Sequence, residues 1–469
     1  MGRIITIDPI TRISGFLEIT VEVDGNRIIN AKSSGMLFRG FEKMLKGRSP
    51  LDAIYFTERI CGICSTAHAY VSALALEDAL GVRANENDSM LRDFIHGCEF
   101  IQNHLRHFYQ FVLPDYVKGP NIPPLVPNDK GDYRLPEDIN NKLAEHYLES
   151  LQYSRLAHEM LAVLGGKAPH NHGIFVGGVT VNFNGSDWIK LKSILSSIRD
   201  FVKNTMLPDV YTIAEYYPEY YKIGSGYGNL MSYGVFDNYL DKSLFYLKPQ
   251  VFIEGKYKPL NPDNITENIE FSWYTAAAKQ QPPTSPTVNE DVYKKDAYSW
   301  IKAPRYMGYA MEVGPLARMW LSGLYRRGIS TMDRIIARVL EVDKIIEIMD
   351  GLLDKIQPQN TSQGKYLFTQ NTRGRGLKDT TRGALGHWLA VNNQEIQNYE
   401  IITPSAWNLS SEDSSGIKGV VEHALLGIEI ANLDNPVEIG RVVRSYDPCV
   451  SCATHITGNG FSPIDIRLV

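Results

Sequence analysis

Two short stretches decide the fold: Arg59-Ile60-Cys61-Gly62-Ile63-Cys64, with His68 after it, and Asp447-Pro448-Cys449-Val450-Ser451-Cys452, with His455 after it. Four of the five cysteines lie in these two C-x-x-C motifs. A C-x-x-C turn aims two sulfurs at one spot. Two such turns offer four thiolates, a set that suits zinc, nickel or an iron–sulfur cluster. Almost the whole chain separates Cys64 from Cys449. The chain must therefore fold back on itself to close the site, which puts the metal deep in the structure.

The sulfur pairs alone also describe a structural zinc site. Zinc ribbons, however, keep their pairs within about 15–20 residues of each other. They also stabilise modules that lack a core. This chain has 469 residues, 43% hydrophobic and 22% charged, enough for a sizeable core. A metal site built from both ends argues for one domain. Five cysteines are too few and odd-numbered for a disulfide framework. Cys98 reads as a buried, inert small hydrophobe. The net charge of −5 gives no basic footprint, so nucleic acid is not an expected partner. No apolar run approaches the about 18 residues a membrane span needs, and no basic-then-apolar signal opens the chain.

Residues 3–33 alternate like strands, with Asp24-Gly25-Asn26 as a turn. Residues 89–112, 139–164, 186–205 and 316–356 repeat their apolar positions at helical spacing. The stretch 217–300 is the least patterned, and Pro282-Pro283-Thr284-Ser285-Pro286 within it reads as an exposed loop. The expected class is mainly α with small β elements (α+β), a bundle of long helices around a buried metal site.

The flanks of the cysteines carry a family resemblance. R-x-C-G-x-C-x-x-x-H with D-P-C-x-x-C-x-x-H resembles the large subunit of nickel–iron hydrogenases, most of all the uptake-type heterodimers. Further matching blocks are Asp8-Pro9-Ile10-Thr11-Arg12-Ile13, Phe38-Arg39-Gly40-Phe41-Glu42, Gly165-Gly166-Lys167-Ala168-Pro169-His170 and Glu312-Val313-Gly314-Pro315. Arg382-Gly383-Ala384-Leu385-Gly386-His387-Trp388 and Pro404-Ser405-Ala406-Trp407-Asn408 complete the series, which covers nearly the whole chain in order.

The resemblance implies a nickel–iron centre whose iron carries one CO and two cyanides. It assigns Cys61 and Cys449 to nickel alone, and Cys64 and Cys452 to a nickel–iron bridge. It places Arg382 beside the metals, Ser405 on a cyanide, Asp447 and Asp115 on the arginine, and His68 on a bridging sulfur. Glu42, His455 and a backbone carbonyl near Ile401 would hold Mg²⁺ or Fe²⁺. The implied reaction is reversible heterolytic cleavage of H₂, with electrons passed to an iron–sulfur small subunit, because this chain lacks cysteines for a relay cluster. The domain would be 1–455, with 456–469 an extension removed by a maturation endopeptidase after a nickel chaperone has loaded the site. Folding would take place in the cytoplasm, with export alongside the small subunit and electrons passing through it to a membrane cytochrome.

Two positions depart from the family pattern. Ser14 replaces the glutamate that opens the family's proton path, which leaves Glu58, Asp115 and Asp447 as candidate first carboxylates. Thr381 replaces the proline before the arginine. Three other readings compete: an H₂-sensing regulatory protein of the same fold, a non-catalytic relative like the quinone-site subunit of respiratory complex I, and a structural zinc protein. All four motif cysteines are present, against the second of these.

Overall fold

The computed structural model describes residues 2–453 apart from 124, 126–129, 286–287 and 368–370. His455 and the segment 456–469 lie outside the described residues, and so does the Cys452 side chain. Strands β1 (Arg3–Ile7), β2 (Leu17–Asp24) and β3 (Arg27–Gly35) form an antiparallel meander. Leu17, Ile19, Val21 and Val23 are buried at every second position of β2, which is the alternation of a half-buried sheet.

Short helices α1 (Phe41–Leu45) and α2 (Asp52–Glu58) lead to the first cysteine motif, and α3 (Ser65–Leu80) leaves from it. Helices α4 (Glu86–Arg106), α5 (Glu137–Gly165), α6 (Gly185–Phe201), α7 (Leu207–Tyr216), α8 (Pro315–Leu321) and α9 (Thr331–Lys355) follow. Helices α4, α5, α6 and α9 pack in a bundle. The helix expected over 316–356 is in fact two. Gly323 takes a left-handed φ of 82°, and Ser330 caps the second helix through a reciprocal capping box with Asp333. The helices expected to reach residues 112 and 205 do so with wider turns, His107–Val112 and Val202–Met206 being π-helical.

The stretch 217–300 holds short strands such as Gln250–Ile253 and Ile265–Asn268. In the 282–286 loop Pro282 is exposed, Pro283 is buried, and Pro286 lies outside the described residues. A second antiparallel meander, Asn371–Thr380, Gly383–Asn392 and Glu395–Ile402, has strands longer than the small β elements expected. Its first hairpin pairs Thr380 with Gly383, so Thr381 and Arg382 form the turn. The chain ends its described part with α10 (Pro404–Leu409), α11 (Val420–Leu425), α12 (Val437–Ser445) and α13 (Val450–Ala453). Among the described residues no helix is long and apolar enough to cross a membrane.

Two hydrophobic cores meet near the second motif: Cys61, Cys64 and Cys449 belong to one, and Tyr446 and Val450 to the other. Helix α3 lies directly on strand Asn371–Thr380 because that strand offers glycines. A Cβ on Gly374 would stand 2.1 Å from the Ala75 carbonyl, and one on Gly376 2.1 Å from that of Val71. Neither obstacle can rotate away, since both are backbone. Gly376→Ala is therefore expected to destabilise the protein by about 1–3 kcal/mol, the usual cost of overpacking. The check is the thermal unfolding midpoint of the purified protein, and an unchanged midpoint would contradict the packing.

Candidate metal centre

The first motif sits in the tight connection between α2 and α3, and the second runs from the connection after α12 into α13. Cys61 Sγ lies 3.4 Å from Cys449 Sγ, and Cys64 Sγ lies 4.0 Å from it. These three are the residues that group as a candidate metal cluster among the described residues. All three are buried. The Ile63 amide donates to Cys61 Sγ at 3.3 Å, a contact that favours the thiolate.

Backbone from the N-terminal end stitches the two motifs together. Ser14 N–H donates to the Pro448 carbonyl at 3.1 Å, and Val450 N–H donates to the Ser14 carbonyl at 2.7 Å. The Arg39 guanidinium bonds the carbonyls of both Ile60 and Ser451. Glu99, on α4, accepts the amides of Thr66 at 2.8 Å and Ala67 at 3.2 Å. A carboxylate thus caps the start of α3, where amides lack helical partners and the dipole is positive.

A small cavity adjoins the sulfurs, lined by Cys64, Ala67, His68, Thr380, Thr381, Arg382, Leu385, Pro404, Ser405 and Cys449. Ser405 Oγ accepts the Cys449 amide at 3.0 Å, which leaves its own proton to donate elsewhere. Arg382 reaches the cavity from its hairpin turn. Gly383, at φ 126°, permits that turn to press on the start of α8: a Cβ there would stand 2.6 Å from the Gly314 amide nitrogen. Arg382 Nη2 donates to Asp447 Oδ1 and Nε donates to the Asp447 carbonyl, both at 3.0 Å. Its Nη1 is buried with no partner. Burial opposes the Arg382 charge, but Asp447, Cys449, Cys64 and Cys61 outweigh it and hold its pKa well above the ordinary value. Burial likewise opposes the Asp447 charge, and Arg382 and Arg338 overcome it, leaving that carboxyl well below the ordinary range.

Asp115 does not touch Arg382, contrary to the sequence expectation. Its carboxylate takes Arg12 at 2.5 Å and both Arg444 Nε at 2.7 Å and Nη2 at 2.6 Å. Burial opposes its charge, but the two guanidiniums prevail and lower it to about 2. The link to the site is indirect: Arg444 offers its carbonyl to the Asp447 amide at 2.9 Å.

His68 is buried, and burial lowers its pKa to about 4. Its Nδ1 lies 3.2 Å from His387 Nε2; His387 Nδ1 lies 2.8 Å from Tyr399 Oη, which donates to Ser72 Oγ at 3.0 Å. This chain of four side chains fixes both rings.

Glu42 accepts the Ile401 amide at 3.2 Å. It shares Lys302 with Glu267 and Glu400, and burial followed by the Glu400 charge pushes its carboxyl up to about 8. Glu58 is fully buried against Arg59, and burial raises it to about 7. Sequence reading missed Asn103 and His104 on α4, and Arg338 and Glu341 on α9, and only the α9 pair carries a signal. Arg334, Arg338 and Glu341 recur at i, i+4 and i+7 on the buried face of α9, where apolar residues belong.

The donor set fits a soft transition metal: buried sulfurs converge, and an unspent buried N–H lies beside them. Comparison with known proteins gives the same answer. The family model "Nickel-dependent hydrogenase" matches residues 39–123, 127–328 and 325–455. The periplasmic [NiFeSe] hydrogenase large subunit of Desulfomicrobium baculatum is 35% identical, over 96% of this chain and 95% of its own length. The hydrogenase-1 large chain of Escherichia coli is 30% identical, over 99% and 96%. The solved Ni-Fe-Se hydrogenase of D. vulgaris Hildenborough superposes with a TM-score of 0.92 at 34% identity, over 97% of this chain and 100% of that one. All four motif positions are cysteine in this sequence. The chain belongs to the nickel-dependent hydrogenase family.

Proposed function

We propose that this chain is the catalytic large subunit of a nickel–iron hydrogenase that cleaves H₂ reversibly into protons and electrons, with Cys61, Cys64, Cys449 and Cys452 as the metal ligands. Family membership makes the chain an oxidoreductase acting on H₂. The observation that carries the site assignment is the meeting of sulfurs from both ends of the chain beside a buried guanidinium whose Nη1 is unspent. When bound, the nickel–iron centre supplies the chemistry that polarises and splits H₂. Cys61 and Cys449 would hold the nickel, and Cys64 and Cys452 would hold both metals.

The protein's part is to hold, orient and exclude water. An iron carrying one CO and two cyanides would need hydrogen-bond donors for the cyanides. Arg382 Nη1 and the Ser405 hydroxyl have protons to give there, and both line the cavity. Asp447 fixes the guanidinium by two contacts, so its remaining N–H group keeps one direction. His68 lines the cavity with Cys64, and its ring is held by His387; its other nitrogen would serve a bridging sulfur. Asp115 acts at one remove, by seating Arg444 and with it the backbone of Asp447.

A hard cation, Mg²⁺ or Fe²⁺, belongs at Glu42, His455 and the Ile401 carbonyl; Glu42 already lies against the Ile401 backbone. Electrons leave through an iron–sulfur small subunit, in keeping with relatives named large subunit and large chain. The quinone-reactive relative from Wolinella succinogenes supports onward transfer to a membrane cytochrome. The periplasmic relative supports export with that partner after folding in the cytoplasm. A nickel chaperone fills the site, and an endopeptidase then removes 456–469.

Three outcomes test this reading. Matured protein should contain about one nickel per chain, and Cys449→Ser should lose it; stoichiometric zinc without nickel by elemental analysis would sink the assignment. Arg382→Lys should retain nickel yet lose H₂ oxidation on the order of tenfold or more, because an ammonium keeps the charge but not the planar fork. Parental turnover in that variant would remove the arginine from the chemistry. Intact mass of the active chain should end at His455, and active enzyme still carrying Val469 would refute the processing step.

A further inference from the structure

Asp447 serves two guanidiniums. Its Oδ1 takes Arg382 at 3.0 Å, while its Oδ2 takes Arg338 Nη1 at 3.1 Å and Asn103 Nδ2 at 2.8 Å. Arg338 stands on α9 and is buried. The same Nη1 donates to His104 Nδ1 at 3.0 Å. That contact makes Nδ1 the acceptor and puts the proton of the neutral ring on Nε2, 2.9 Å from Glu341 Oε2. Glu341 also receives Arg318 Nε at 2.7 Å, Arg318 Nη2 at 2.6 Å and Tyr246 Oη at 2.7 Å.

The donor directions are thus fixed along a buried string whose charges alternate: Arg382, Asp447, Arg338, Glu341, Arg318. Burial lowers His104 to about 4, in keeping with a neutral link between Arg338 and Glu341. Arg382 with Asp447 alone would be a neutral pair. Sharing Asp447 with Arg338 leaves the group of three, the end of the string beside the cysteines, with a net positive charge, while at the far end Arg318 is shared between Glu341 and Asp379. No bulk water intervenes to screen it, so a single charge there is felt strongly.

We propose that Arg338 is a positioning residue of this site: by sharing Asp447 with Arg382 it fixes the carboxylate and leaves one positive charge facing the cysteine sulfurs. This rests on the hydrogenase reading above. Arg338 acts through Asp447 and Arg382, and its contribution has two separable parts, charge and orientation. A merely structural arginine would affect folding and metal loading. It would leave the electronic state of a fully loaded centre unchanged.

The test uses the assembled, nickel-loaded enzyme with Arg338→Gln and Arg338→Lys. Nickel content, the midpoint potential of the nickel centre in a spectroscopic redox titration, and H₂ oxidation are measured together. Arg338→Gln is expected to retain nickel and to shift the potential negative, because a nearby positive charge favours the reduced centre. Its H₂ oxidation should fall about tenfold, the rate equivalent of one lost charge-assisted hydrogen bond. Arg338→Lys should hold the parental potential and recover most of the rate. A nickel-replete Arg338→Gln enzyme at the parental potential overturns the proposal, as does an Arg338→Lys enzyme displaced as far as Arg338→Gln. Where Arg338→Gln fails to load nickel, Arg338→Lys decides: a parental potential sustains the charge argument and a negative shift overturns it. A parent enzyme without nickel or H₂ turnover would instead remove the hydrogenase reading, before any variant is compared.

Discussion

Sulfurs from opposite ends of the chain must meet in a place closed to water, and the rest of the architecture follows from holding them there. Thiolates repel one another and lose solvation when buried, so nothing about the cysteines alone draws Cys61 and Cys449 to 3.4 Å. The closure is made by neighbours. Ser14 clamps the second motif through its amide and carbonyl, Arg39 ties a carbonyl of each motif to one guanidinium, and Glu99 caps the helix that leaves the first. Each of these contacts joins segments far apart in sequence. The site and the tertiary fold therefore form as one event.

Charge is arranged with the same economy of solvent. Arg382, Asp447, Arg338, Glu341 and Arg318 are all buried, and each touches an opposite charge. Burying such groups gains little stability on balance, but removing one partner strands the other at a cost of about 3–5 kcal/mol. The string is consequently rigid: no member can move without leaving its neighbour uncompensated. On the proposed function, rigidity is what the Arg382 guanidinium needs, since its unspent Nη1 must keep one direction. The second cluster, around Glu42, works on different terms. There Glu42, Glu267 and Glu400 share one Lys302, and burial together with mutual repulsion raises Glu42, leaving the group short of positive charge.

What could be read from the sequence was whatever a local pattern carries. The two C-x-x-C motifs, the long helices and the N-terminal meander all declare themselves within a few residues. The break between α8 and α9 was missed because the apolar spacing runs on across it while a glycine and a serine cap interrupt the backbone. The meander around Arg382 was missed because its glycines, at 374 and 376, weaken a strand signal and make sense only against α3. Asp115 shows the limit of assignment by motif: it lies near the expected place but spends its charge on Arg12 and Arg444. Arg338 was invisible for the opposite reason. A charge on the inner face of a helix reads as noise in a periodic pattern until the partner that neutralises it is seen.

The two departures from the family pattern now have a common physical explanation. Ser14 meets the second cysteine motif through its amide and its carbonyl; its hydroxyl adds only a 3.4 Å contact with Ser451 Oγ. Thr381 accepts Arg318 Nη2 at 3.2 Å and Arg338 Nη1 at 3.5 Å on its backbone carbonyl, while its own hydroxyl oxygen is buried without a partner. The turn around it is fixed by Thr380, whose hydroxyl donates to the Gly383 carbonyl at 3.1 Å. At both positions the contacts that build the site belong to the main chain, which every residue type has. A side chain there can change without disturbing the clamp on Cys449 or the cradle of the arginines. An unsatisfied buried hydroxyl at 381 costs about 1–3 kcal/mol, a sum the surrounding ion pairs and packing absorb. What a side chain at 14 or 381 does beyond that scaffold concerns the reaction alone, and it can vary because the scaffold does not depend on it.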